Sequence, residues 1–366
     1  METLFKRLEM TLNDENSYYY NKYFDYLGLK DLVANNSIAT NFIMEYFYTG
    51  GKASLFANQQ ELTRVKHVIM SYLLGVMILE NTNLKQKFHN YLKKTLNLTE
   101  NFIDDKNDNA LYFWYLTSLF HDFGYIYENK LTTMGLEDNE RSDIFMNSTS
   151  VNGQVYNFRM NTNRFPVNTY HKYYLYAFKN LKIHEHGFLG GNMMFNRMKE
   201  NLVQKMKSES LIGKTLSVKP FISEGLHWSI NHLDIYRMLS FVVMEHNIWR
   251  LDDESLAREY GLDNLLGDNY KRIDPENETL LFLLSLVDAM EPFKKFDNEI
   301  GKKSLNFEVF LNFLRNTRIE FEENKIKISN FTQDILFKEM ENSVRDIKKW
   351  MNVEYKKGSY SFEISW

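Results

Sequence analysis

The chain has no cysteine in its 366 residues. That excludes disulfides, thiolate metal sites and cysteine nucleophiles, and it fits a reducing cytosol. Any bound metal must then take imidazole and carboxylate ligands. Proline is nearly as scarce, occurring only at positions 166, 220, 275 and 292. Long stretches are therefore free of the residue that most reliably breaks a helix. No charge of one sign dominates: 44 Lys and Arg face 48 Asp and Glu, for a net charge of -4. A long nucleic acid is not the expected partner, because no overall field attracts it. Long apolar runs are missing too. The longest, Val68 to Leu79 and Leu280 to Ala289, fall short of the roughly 20 residues a membrane helix needs. The start, Met1-Glu2-Thr3, lacks the cationic stub and apolar core of a signal peptide. The expectation is a soluble, cytoplasmic protein with no membrane partner.

What remains is ordinary material for a folded core, 44% apolar and 15% aromatic, and its periodicity is helical. Between Gln60 and Leu79, apolar Leu62, Val65, Ile69, Tyr72, Leu73, Val76 and Leu79 recur at three- and four-residue steps, the signature of an amphipathic helix. Asp108 to Tyr127 repeats the pattern, with Asp108 as its capping residue. His186 to Met206, Gly225 to Trp249 and Glu278 to Met290 complete five predicted helices, which argues for a mainly α fold.

Three domains are expected. Residues 1–58 form an N-terminal helical segment packing on the core, residues 59–305 the main helical domain, and residues 306–366 a small C-terminal α/β appendage. In the appendage, Arg318 to Ile328 and Tyr360 to Ile364 alternate like strands around a helical Gln333 to Met351. Within the main domain, residues 137–170 are rich in Asn, Ser, Thr and Gly and read as a loop-rich insertion, either a surface excursion or a lid.

The chemistry is concentrated at His67, His121, Asp122, His186, His246 and Asp288. Each alone has a bland explanation, but most sit inside or beside an apolar helical stretch where a polar group needs a reason. Asp288 follows Leu280 to Val287, apolar apart from Ser285. A carboxylate there costs several kcal/mol (~) unless a cation or donor compensates it. On the helix expected from Asp108 to Tyr127, the side chains of His121 and Asp122 point about 100° apart and can approach one cluster from different sides. His184 competes with His186 for the third histidine position. On a helix the two would point about 200° apart, and Gly187, Gly190 and Gly191 favour His186 as the one heading the helix.

This ordered set resembles the signature H…HD…H…H…D of the HD superfamily of metal-dependent phosphohydrolases, over roughly Leu62 to Phe296. The resemblance implies an HD-domain helical bundle core. It implies a site in which His67, His121, Asp122 and Asp288 surround one divalent metal, with Asp122 bridging to a second held by His186 and His246. Two ions are implied, iron or manganese first, with zinc, cobalt or magnesium as alternatives. The implied reaction is hydrolysis of a phosphoester or phosphodiester of a small nucleotide or cyclic nucleotide by a metal-activated water. The chain departs from many members in lacking a lysine shortly after the doublet, where Phe123-Gly124-Tyr125 stands. Substrate contacts are then expected from Arg64, Lys66, Tyr125, His184, Asn247 and Arg250. A homo-oligomer is compatible with the sequence. Mixed-valent di-iron oxygenases of the myo-inositol oxygenase type share the six-ligand pattern and form the competing enzyme class. A non-catalytic nucleotide-binding module is the third reading.

Overall fold

The computed structural model describes residues 2–13, 62–96, 109–122, 124–125, 164–165, 167–181, 186–192, 194–196, 198–199, 221–223, 226–228, 232–294, 296 and 307–366. These residues are mostly helical, with a small C-terminal sheet. The helices are α1 (Leu4–Asn13), α2 (Leu62–Asn81), α3 (Leu84–Leu96), α4 (Asn109–Phe120), α5 (Val167–Tyr176), α6 (residues 186–192), α7 (His232–Glu245), α8 (Glu254–Glu259), α9 (Thr279–Met290), α10 (Phe307–Asn316) and α11 (Ile335–Ile347). The strands are β1 (Glu2–Thr3), β2 (Phe221–Ser223), β3 (Leu226–Trp228), β4 (Thr317–Glu322), β5 (Lys325–Asn330), β6 (Glu354–Lys357) and β7 (Ser361–Ser365). Contacts divide the chain into two compact units, one of residues 1–88 with 272–366 and one of residues 89–271.

In the first unit α2 packs against α1 and α9, and α9 packs against α11. Helix α9 is buried along Thr279 to Val287, as expected of a helix apolar all round. Burying each large side chain here contributes ~1.5–3 kcal/mol, enough to carry a polar residue such as Ser285 into the interior. Beside these helices lies an antiparallel sheet in the order β1-β4-β5-β7-β6. Its alternation sorts the two faces. Ile319, Ile326, Ile328, Phe362 and Ile364 are buried, while Glu320 pairs across strands with Lys327, and Lys327 with Glu363, opposite charges that favour this register. Helix α11 is opened by Asp334, whose carboxylate accepts from the Phe337 amide at 2.9 Å. It turns Phe337 onto Phe362 of the sheet.

In the second unit α4 packs against α7. Helix α4 buries Ala110, Phe113, Trp114, Leu116, Thr117, Ser118 and Phe120. Two tyrosines of α5 and one beyond α8 reach the C-terminal end of α7. Tyr170 donates to the Glu245 carboxylate, Tyr173 to the Asn247 carbonyl at 2.8 Å and Tyr270 to the Ile248 carbonyl at 3.2 Å.

Two expected helices are shorter than their patterns. The segment expected as helix from Gly225 begins instead with β3, which pairs with β2 through Ser223↔Leu226. Helix starts only at His232. The cross-strand pairing of Phe221–Ser223 with Leu226–Trp228 overrides helical periodicity here. The helix expected to run through His121-Asp122 ends at Phe120, so the doublet sits in a turn. The loop-rich insertion, apart from residues 164–165 and the start of α5, lies outside the described residues, as do residues 14–58 of the N-terminal segment. Among the described residues, no helix is long and apolar enough to cross a membrane.

Candidate metal centre

The doublet is built at the end of α4. The His121 amide still bonds the Thr117 carbonyl at 3.0 Å, and its ring Nδ1 lies 2.5 Å from the Ser118 carbonyl. A carbonyl only accepts, so Nδ1 must carry the proton, and the lone pair is left on Nε2. His246 repeats the device one residue past the end of α7, with Nδ1 2.6 Å from the Val243 carbonyl. In both cases the imidazole satisfies a carbonyl that the helix end leaves open. It also leaves Nε2 in the form that binds a metal, its other nitrogen fixed by a backbone acceptor.

Asp122 is the centre of this arrangement. Its Oδ1 lies 3.5 Å from His121 Nε2 and 3.5 Å from His186 Nε2. The His121 and His246 rings stand edge to face with centroids 5.6 Å apart, and those of His186 and His246 at 5.4 Å. The C-terminal ends of α4 and α7 bring partial negative charge to the same place, which favours a cation.

His186 reaches the cluster because glycines let backbones meet. A Cβ on Gly124 would collide with the backbone of His186 and Gly190. A Cβ on Gly187 would stand 2.9 Å from both the His246 ring and the Val243 carbonyl oxygen. With glycine at both positions, α6 lies directly on the doublet turn and on the end of α7.

Asp122, His186 and His246 together could hold a metal ion, their ligand atoms lying within 4.8 Å of one another. These three donors, imidazole and carboxylate without sulfur, suit a borderline or hard divalent cation. In the first unit, buried His67 adjoins the closing aspartate: its Nε2 is 3.2 Å from Asp288 Oδ1. Asp288 in turn accepts from Lys294 Nζ at 2.9 and 3.0 Å on its two oxygens.

The expected substrate contacts are placed as follows. Tyr125 stacks on His186, with ring centroids 3.6 Å apart and an interplanar angle of 18°. Asn247 sets its amide Nδ2 2.8 Å from His186 Nε2. Arg250 is exposed just past α7. Arg64 and Lys66 lie in the first turns of α2, and His184 lies outside the described residues.

Sequence reasoning missed Glu291, Lys294 and the tyrosines around Glu245. A buried carboxylate, Glu245 is met by Tyr170 and by Arg164, whose Nη1 is 3.9 Å from Oε2. Burial first, and the Glu245 charge second, push the Tyr170 hydroxyl well above the ordinary tyrosine range. Only the clustering of Tyr170, Tyr173 and Tyr174 in α5 hinted at this.

No family model, curated protein or solved structure matches the chain. The arrangement of its own side chains therefore carries the functional argument.

Proposed function

We propose that the chain is a metal-dependent phosphohydrolase of the HD type, built on an HD-like helical core and acting on a phosphoester or phosphodiester of a small nucleotide. The observation that carries this reading is the grouping of Asp122, His186 and His246, whose ligand atoms lie within 4.8 Å of one another. A carboxylate can bridge two cations, whereas an imidazole normally serves one, which fits the two-ion site that the resemblance implies. That resemblance assigns His67, His121, Asp122 and Asp288 to one ion, and Asp122, His186 and His246 to the other. Two such cations would supply Lewis acidity and bring the pKa of a bound water towards 7.

The protein's own contribution is to hold the ligands in one tautomer and to keep them dry. His121 and His246 have their Nδ1 protons committed to carbonyls, so neither needs to reorient. His67, His121, Asp122 and His246 are buried, so their donors are not already spent on bulk water. His186 must exchange its Asn247 partner for a cation, which makes it the most adjustable of the set. A phosphate also needs positive charge beyond the ions. Lys294, already beside Asp288, supplies it in this reading and stands in for the lysine absent after the doublet.

The test is a screen of nucleoside phosphates and cyclic dinucleotides with Mn²⁺ or Fe²⁺, run with and without oxygen. Release of phosphate or opening of a phosphodiester without oxygen, abolished by His121→Ala, is the expected result. Turnover only with oxygen would assign the chain to the oxygenase class. Ligand binding with no turnover under either condition would leave a binding module.

A further inference from the structure

The six proposed ligands do not account for Glu291, the residue that closes α9. It is 0% exposed, and a carboxylate so placed must be matched by donors. It has three. Oε1 accepts from the Phe293 amide at 2.5 Å, and Oε2 accepts from the Lys294 amide at 2.6 Å. Oε2 also lies 2.7 Å from His67 Nδ1. The two backbone bonds fix the carboxylate on the turn after α9. The third bond reaches α2 and holds an imidazole.

We propose that Glu291 is the positioning residue of the His67–Asp288 ligand pair. It holds His67 with Nδ1 protonated, so that the Nε2 lone pair is presented beside Asp288 as a metal ligand. This inference rests on the metal-centre reading above and deepens it. His121 and His246 have a backbone carbonyl at i-3 to fix their tautomer, because each follows the end of its own helix. His67 cannot use that device. It lies inside α2, where the carbonyls of the preceding turn are engaged by the helix itself. A side chain from another element must do the work, and a carboxylate on the second imidazole nitrogen both orients the ring and raises its basicity towards a cation. Glu291 does this from the same helix end that carries Asp288. One turn of α9 thereby supplies a ligand at position 288 and the support for a ligand at position 291.

The experiment measures Mn²⁺ affinity and thermal midpoint for the full chain, Glu291→Gln, Glu291→Ala, His67→Ala and the His67→Ala/Glu291→Gln double variant. Glutamine keeps the shape but brings an amide N–H₂ against either the ring or the backbone donors. The expected result for Glu291→Gln is a loss of about 10–100-fold in affinity for the Mn²⁺ that His67 would hold, the usual scale for removing such a partner. In the His67→Ala background the same change should cost no further affinity, since Glu291 acts through His67. A residue that only caps α9 would lower the midpoint equally in both backgrounds and leave Mn²⁺ affinity alone. That result overturns the inference while the metal centre stands. If the unsubstituted chain binds no Mn²⁺, the functional reading and this inference fall together.

Discussion

At the scale of single residues, the centre is held by hydrogen bonds that decide tautomers and by a buried cluster that fixes the end of α7. Glu245 precedes His246, and its carboxylate is held by Tyr170 beside Arg164. Tyr170 is raised by burial first and by Glu245 second, so the folded state favours its neutral form. Its contribution is complete below the unfolded tyrosine value of about 10 and is lost as pH rises from there towards the folded value. Urea denaturation from pH 8 to pH 11 should show stability falling more steeply in the unsubstituted chain than in Tyr170→Phe. The variant should be weaker by about 1–3 kcal/mol at neutral pH, because Glu245 loses a buried donor. Parallel pH profiles would contradict this.

The candidate ligand residues stand out in the sequence because they combine a polar type with an apolar setting, as His121 does after Leu119-Phe120. Their supports were not. Glu291 lies 224 positions from His67, and nothing local in Glu291-Pro292-Phe293 distinguishes a buried capping carboxylate from a solvated one.

At the scale of elements, periodicity found the long helices because burial on one side imposes a 3.6-residue rhythm. It placed α2 and α9 within two residues of their observed ends. It ran past the end of α4, because the break at Phe120 comes from the contact of Gly124 with α6 and not from any breaker in the helix. The strands β4, β5 and β7 alternate and were readable. Strand β6, Glu354 to Lys357, is largely exposed at the sheet edge, and its lysines suit an edge that must not pair further, so no apolar pattern marks it. Gly187 lets α6 lie close against the end of α7. Gly187→Ala would press a methyl group onto the His246 ring and the Val243 carbonyl. It should cost about 1–3 kcal/mol as an overpacked contact and weaken Mn²⁺ binding. Thermal melting and a Mn²⁺ titration check both effects, and an unchanged affinity would mean that α6 does not set the ligand geometry.

At the scale of the whole molecule, the absence of cysteine and the near balance of charge narrowed the chemistry before any motif was read. They left imidazole and carboxylate as the strong ligands available and made a small substrate the expected partner. The two-unit division, in which β1 at the N-terminus pairs Glu2 with Ile319 of β4, was not legible, since a two-residue strand leaves no pattern. The central claim is that Asp122, His186 and His246 hold a cation. The most direct measurement is Mn²⁺ affinity, by equilibrium titration, before and after Asp122→Asn, a change that keeps the side chain's shape. The account predicts Mn²⁺ binding by the unsubstituted chain and a loss of affinity in the variant, with the helical circular dichroism preserved. Mn²⁺ bound as tightly by Asp122→Asn as by the unsubstituted chain would contradict it.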